Sequence, residues 1–386
     1  MGEGEPPAGS EGAPPRRLGY QPGLDGIRAF AILAVLAFHG GTQLTAGFIG
    51  VDIFFVLSGF LITSLLFQEW SDRGTIGLRS FYGRRARRLL PALFLTIAIV
   101  GLIYAADDQL NHGYAYPLQA LIAIFYVATW VIAIHPGSPL GLLNHIWSLA
   151  IEEQFYILWP PLLVVALRQR WSRERLTFSL VIAAVASTLL CATLWLVGVR
   201  RGLYFRTDTH AGGLLLGCAL AAARGTPMLK PLAAAGSSLV LAVAAGVALV
   251  VLAFGPMAYG SFQFTIGYPI VAICAGIIIN HAVTSKRSLV TRTLALSPLV
   301  WIGARSYGMY LFFLPVMAVV TGSRLHLGFW ATFAVQVGVI FIAAALSYRF
   351  LESRFLRKSR LPGAPAHVQR SEPRRELAAS MPPSKT

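Results

Sequence analysis

Apolar runs long enough to cross a bilayer core, about 20 residues at 1.5 Å each, alternate with short polar or arginine-rich stretches along most of the chain. They fall at residues 24–43, 50–68, 89–106, 146–167, 176–199, 208–223, 233–254, 264–283, 299–320 and 328–349. The pattern predicts an all-α, polytopic integral membrane protein of about ten transmembrane helices. Another apolar run, 117–135, is settled by the basic clusters. Residues 79–88, 168–175, 224–230, 286–292 and 354–360 share one side of the membrane only if an even number of spans separates them, and Arg and Lys collect on the cytoplasmic side. A full crossing at 117–135 would send 168–175 outside, so this segment is expected to be re-entrant or interfacial, with both termini cytoplasmic. Irregular backbone at membrane depth survives only where protein or a wet cavity satisfies its polar groups. The segment therefore predicts an internal cavity. Residues 1–23 and 352–386, rich in Pro, Ser, Gly and charge, read as disordered cytoplasmic tails around a 24–351 membrane domain.

Composition narrows the class. The 386 residues are 56% hydrophobic and 12% charged, against roughly 25% charged in soluble domains. A net charge of +16 could suit nucleic acid, but the basic residues sit between apolar segments and beyond Arg349, which fits a cytoplasmic membrane face and contact with membrane lipids, not nucleic acid. Cys191, Cys218 and Cys274 lie in apolar stretches, with no disulfide framework and no metal-site spacing. The N-terminus has no basic leader region and no small-residue cleavage site, so the first run is expected to be retained as a helix. No internal repeat is visible, which argues against a transporter built from inverted halves.

Ionisable residues inside apolar runs carry the candidate chemistry, because a charge in hydrocarbon costs about 3 kcal/mol or more and marks an interior or a substrate route. Arg28 and His39 are eleven residues apart in the first run. Eleven helical steps advance about 16 Å and return to within about 20°, placing both on one face near opposite membrane surfaces. Asp52, in Gly50-Val51-Asp52-Ile53-Phe54-Phe55-Val56-Leu57-Ser58-Gly59-Phe60, either orients His39 as a general base or caps the second helix. Arg85 and Arg88, in Arg84-Arg85-Ala86-Arg87-Arg88, either bind a polyphosphate such as coenzyme A or fix topology. In His145-Ile146-Trp147-Ser148-Leu149-Ala150-Ile151-Glu152-Glu153, His145 and Glu152 share a face. Glu152 binds substrate or holds the site together, while Glu153 suits the helix dipole. Asp208 and His210 are a cap and an interfacial histidine, or site residues.

Together these segments, with Arg85-Ala86-Arg87-Arg88-Leu89-Leu90-Pro91 and Trp147-Ser148-Leu149-Ala150-Ile151-Glu152-Glu153-Gln154-Phe155-Tyr156, resemble the integral-membrane acyltransferase 3 family over about Leu24 to Leu351. The resemblance implies acyl transfer, often from acyl-coenzyme A, to hydroxyls of sugars, envelope polysaccharides or glycosylated natural products such as macrolides. It implies His39 as catalytic base, Arg28 as its companion, and Arg85 and Arg88 at the donor. Phe313 stands where many members carry histidine, and His210 where many carry arginine; both changes put substrate identity in doubt.

The expected mechanism follows. Acyl-CoA, the co-substrate, docks by its phosphates at Arg85 and Arg88, and its arm reaches toward His39, which deprotonates an acceptor hydroxyl while Asp52 positions the ring. Ser58 or Ser148 are conceivable covalent carriers, but direct transfer is simpler. With no further domain visible, the expected acceptor is first a small glycosylated product such as a macrolide, then a lipid-linked sugar, then an envelope polysaccharide. Trp147, His145 and Ser58 are assigned to substrate binding or structure, and no metal is expected. The competing readings are a carrier for a polar metabolite and a degenerate member acting as a sensor or scaffold.

Overall fold

In the computed structural model, the protein is described over residues 19–135, 137–224, 226, 237–255 and 260–354, and among these residues it is helical throughout. The helices are α1 (Pro22–His39), α2 (Ile49–Arg73), α3 (Leu78–Ala106), α4 (Tyr116–Ile124), α5 (Ala128–Ile134), α6 (Ile146–Arg168), α7 (Arg173–Leu196) and α8 (Thr207–His210). They continue with α9 (Gly212–Ala223), α10 (Leu239–Phe254), α11 (Tyr268–Thr284), α12 (Leu289–Leu294), α13 (Ser297–Ala304), α14 (Ser306–Val319), α15 (Gly322–Leu325) and α16 (Phe329–Ser347). Wider π turns precede α11 at Gln263–Gly267 and extend α16 through Tyr348–Glu352.

Seven of these helices are long and apolar enough to cross a membrane among the described residues. The other three predicted spans map onto apolar helices of different form. The 299–320 run is broken at Arg305, where α13 and α14 meet at 68°. The 208–223 run holds a continuous helix only from Gly212, and 233–254 begins outside the described residues. Residues 117–135 form two helices of nine and seven residues, too short to span. They part at Tyr126, whose φ of 55° is left-handed. Its carbonyl is not orphaned, because Gln154 Nε2 donates to it at 2.9 Å.

Small residues set how the helices meet. A Cβ on Gly59 would lie 2.0 Å from the Leu214 carbonyl oxygen, and one on Gly217 would lie 2.1 Å from that of Val56. α2 and α9 therefore pack backbone to backbone, an approach that side chains would prevent. A Cβ on Gly50 would sit 2.2 Å from the Ala31 carbonyl oxygen, so α2 starts against the middle of α1. That register decides what Asp52 can reach.

The helical domain runs slightly past its predicted borders. Pro22 and Gly23 belong to α1, and Glu352, assigned from sequence to a tail, is buried at 5% exposure. Gly19, Tyr20 and Gln21 before α1, and Ser353 and Arg354 after Glu352, are also described; residues 1–18 and 355–386 of the predicted tails lie outside the described residues.

Candidate functional site

At the Pro22 end of α1 a cavity of about 380 Å³ gathers charge from several helices. α1 supplies Asp25 and Arg28, α2 Ser58, α3 Arg85 and Arg88, and α6 Glu152 and Tyr156. The guanidiniums are held differently. Arg28 lies 3.8 Å from Asp25. Arg85 lies 3.8 Å from Glu153, with its guanidinium carbon 3.6 Å from the centre of the Tyr156 ring. Arg88 has no carboxylate within ion-pair distance among the described residues; the charges around it include Arg28, Arg85 and the buried Glu352. Glu152 faces all of Arg28, Arg85 and Arg88, and its Oε1 accepts a 2.8 Å bond from Ser58 Oγ. The result is a cation-rich chamber in which one guanidinium lacks a close anion.

His39 stands at the other end of α1 and is exposed. Its Nδ1 lies 2.9 Å from the Val35 carbonyl oxygen. A carbonyl can only accept, so Nδ1 carries the proton and the lone pair is left on Nε2, the form a general base needs. Between His39 and the cavity lies an aromatic layer. The ring of Phe313, fully buried, is 4.6 Å from His39 and 5.0 Å from His145. Tyr310 lines the cavity, and its hydroxyl donates to the His145 carbonyl oxygen at 2.8 Å. Its one proton is thereby committed, so Ser148 Oγ is the donor in their 2.6 Å contact.

His145 is placed by proline chemistry. Pro315 has no N–H for the Leu311 carbonyl one turn back, and His145 Nε2 donates to that oxygen at 3.2 Å instead.

Asp52 departs from its expected partner. It does not orient His39 and does not cap α2; its Oδ1 shares a 2.8 Å hydrogen bond with His210 Nε2, while His210 Nδ1 donates to the Tyr204 carbonyl at 2.7 Å. The reason is the register of α2. Gly50 sits against Ala31, eight residues or about 12 Å along α1 from His39. Trp147 joins this second cluster, its ring 4.8 Å from Tyr204 and 5.7 Å from His210, and lies outside the arginine cavity. A side cavity of about 180 Å³ borders Asp52 and His210 between α7, α9 and α11. Asp208 caps nothing; it pairs with Arg206 at 2.5 Å.

Thus Arg28, Arg85, Arg88, Ser58 and Glu152 come together, His39 and His145 share the Phe313 layer, and Asp52 and Trp147 form a third group. Sequence reading missed Tyr20, Asp25, Tyr156, Tyr310 and Glu352. For Asp25 a signal existed, since its three-residue spacing to Arg28 puts both on one helix face. Tyr20, at the cavity mouth, donates to Asp25 Oδ2 at 2.8 Å. Partial burial and this bond push its hydroxyl up to about 12, so it stays protonated.

Comparison with known proteins adds the identity. The acyltransferase 3 family model, described as an acyltransferase domain, matches residues 21–351. The chain is 36% identical over 349 residues to the peptidoglycan O-acetyltransferase OatA of Listeria monocytogenes, covering 86% of this chain and 55% of that protein. It is 37% identical over 355 residues to a putative peptidoglycan O-acetyltransferase of Bacillus subtilis, covering 86% and 54%. To an O-acetyltransferase of Staphylococcus aureus it is 33% identical over 358 residues, covering 88% and 58%. The chain spans about half the length of these curated relatives. No solved structure matches it. On the family match and these relatives, the chain belongs to the integral-membrane acyltransferase 3 family.

Proposed function

We propose that this protein is a membrane O-acyltransferase that passes a short acyl group, such as acetyl, to a hydroxyl of a cell-envelope sugar polymer. The acceptor follows from the relatives, whose names give peptidoglycan as their substrate. A macrolide-type acceptor, placed first from sequence, gains no support from them. Relatives of nearly twice this length also remove the argument that a small acceptor follows from the extent of this chain.

The observation that carries the reading is the arrangement along α1, with a cavity holding Arg28, Arg85 and Arg88 at one end and an exposed His39 with its Nε2 lone pair at the other. The separation of about 16 Å suits a donor that is anionic at one end and carries its thioester on a long arm, as acyl-CoA does. Phosphates would pair with the guanidiniums by charge-assisted bonds. The arm would run past Ser58, Glu152 and Ser148 to the Tyr310 and Phe313 layer. His39 Nε2 would take the proton of the acceptor hydroxyl as its oxygen attacks the thioester carbonyl, and the departing thiolate would receive that proton. Arg28, expected from sequence to accompany His39, belongs in this reading to the donor. Asp52 with His210 fixes helix packing.

The test is transfer of labelled acetyl from acetyl-CoA to purified envelope glycan, using membranes with wild type or His39→Ala at equal protein levels. Transfer by wild type and its loss by at least 100-fold in the variant support the reading. Equal transfer by both overturns the role of His39.

A further inference from the structure

The mouth of the arginine cavity holds an aromatic ring that the fold itself does not use. Tyr20 is 71% exposed, yet it is not free to swing, because its hydroxyl is bonded to Asp25, which in turn lies beside Arg28. Its neighbours at the mouth are Gly19, which brings no side chain, and Gln21. A largely exposed ring, held by its hydroxyl, therefore stands bonded to the acid that lies 3.8 Å from the first guanidinium of the chamber. Exposed aromatic faces next to phosphate-binding guanidiniums suit nucleotides: the phosphates pair with the cations, and the heteroaromatic base stacks on the ring.

We propose that Tyr20 is the stacking platform for the purine base of the acyl donor, so that the site selects a nucleotide-bearing thioester over a bare phosphorylated one. The proposal rests on the coenzyme A reading of the donor. It divides the donor among three places along the bundle: base on Tyr20, phosphates among Arg28, Arg85 and Arg88, and arm in the chamber beyond. The competing role for such a tyrosine is anchorage at the membrane interface, where Tyr and Trp are enriched. Anchorage makes no distinction between donors.

That difference sets the experiment. Wild type, Tyr20→Ala and Tyr20→Phe are compared in membranes for KM with acetyl-CoA and with acetyl-4′-phosphopantetheine, which keeps the arm and one phosphate but lacks the nucleotide. Tyr20→Ala should raise the KM for acetyl-CoA roughly tenfold, the loss expected from one base–aromatic stack, and leave that for the truncated donor within about twofold. Tyr20→Phe keeps the ring and should stay within about threefold of wild type on acetyl-CoA. Equal KM changes on both donors would make Tyr20 a brace for Asp25 and Arg28 and overturn stacking, as would no change on either. Wild type that turns over neither donor would instead refute the coenzyme A reading beneath it, an outcome separable from failure of the stack alone.

Discussion

Arg85 and Arg88 share one helix turn, and from sequence they are equivalent cations; their surroundings make them different. Arg85 is committed to Glu153 and to the Tyr156 ring, whereas Arg88 lacks a carboxylate at ion-pair distance among the described residues. Removing Arg88 should therefore cost donor affinity and little else. We expect Arg88→Ala to raise the donor KM about 10- to 100-fold, the worth of one charge-assisted hydrogen bond to an anion, with the melting temperature in detergent almost unchanged. Arg85→Ala should raise the KM and also destabilise the fold, because it strands Glu153. With side chains 19% and 13% exposed, the loss should be about 1–3 kcal/mol, below the ~3–5 kcal/mol of a fully buried pair. Thermal melts beside donor titrations check both halves, and equal melting losses for the two variants would contradict the difference drawn here. Asp52 teaches the same point about legibility. A carboxylate inside an apolar run is readable from sequence, but its partner is not, because Asp52 and His210 are 158 positions apart and the close contacts of Gly59 with Leu214 and Gly217 with Val56 are what bring α2 against α9.

At the scale of elements, hydrophobic runs located every long helix, since burial in lipid or protein needs only apolar length. What they could not show was where a helix breaks, because the breaks rest on single residues whose consequences are tertiary. α14 is the clearest case. Pro315 strips the Leu311 carbonyl of its helical partner, and a histidine from the head of α6 replaces it. This predicts a coupling between two residues that the sequence sets far apart. His145→Ala should cost about 1–3 kcal/mol by leaving a buried carbonyl unpaired. In a Pro315→Ala background, the restored N–H can bond to Leu311, and the same substitution should cost at least 1 kcal/mol less. Unfolding measured on the four members of this double-mutant cycle gives the coupling, and strict additivity would exclude the exchange of partners. The α2–α9 contact makes a blunter prediction. Gly217→Val places a side chain where the Val56 carbonyl lies 2.1 Å from the Cβ position, so the helices must separate and the protein should fail to accumulate in the membrane, read by quantitative immunoblot against wild type.

For the whole molecule, the side of the membrane taken by the arginines decides which donor can reach them, because the cavity of Arg28, Arg85 and Arg88 lies at the opposite end of α1 from His39. α1 is 18 residues long, about 27 Å, so its two ends must lie near opposite surfaces if it crosses the membrane. In the proposed reading, charge bias puts the arginine end in the cytoplasm, the side where a coenzyme A thioester would be met, and His39 toward the envelope glycan. The fold makes this easy to test, since Cys191, Cys218 and Cys274 are all buried and a wild-type background should react little with thiol reagents. Gln43, in the exposed turn after His39, and Arg73, at the exposed end of α2, provide one reporter position for each side. In intact cells a membrane-impermeant maleimide should label Gln43→Cys and spare Arg73→Cys, and permeabilisation should expose the second. The reverse pattern would put the guanidiniums outside, beyond reach of a cytoplasmic thioester, and would remove acyl-CoA as the donor whatever the arginines bind.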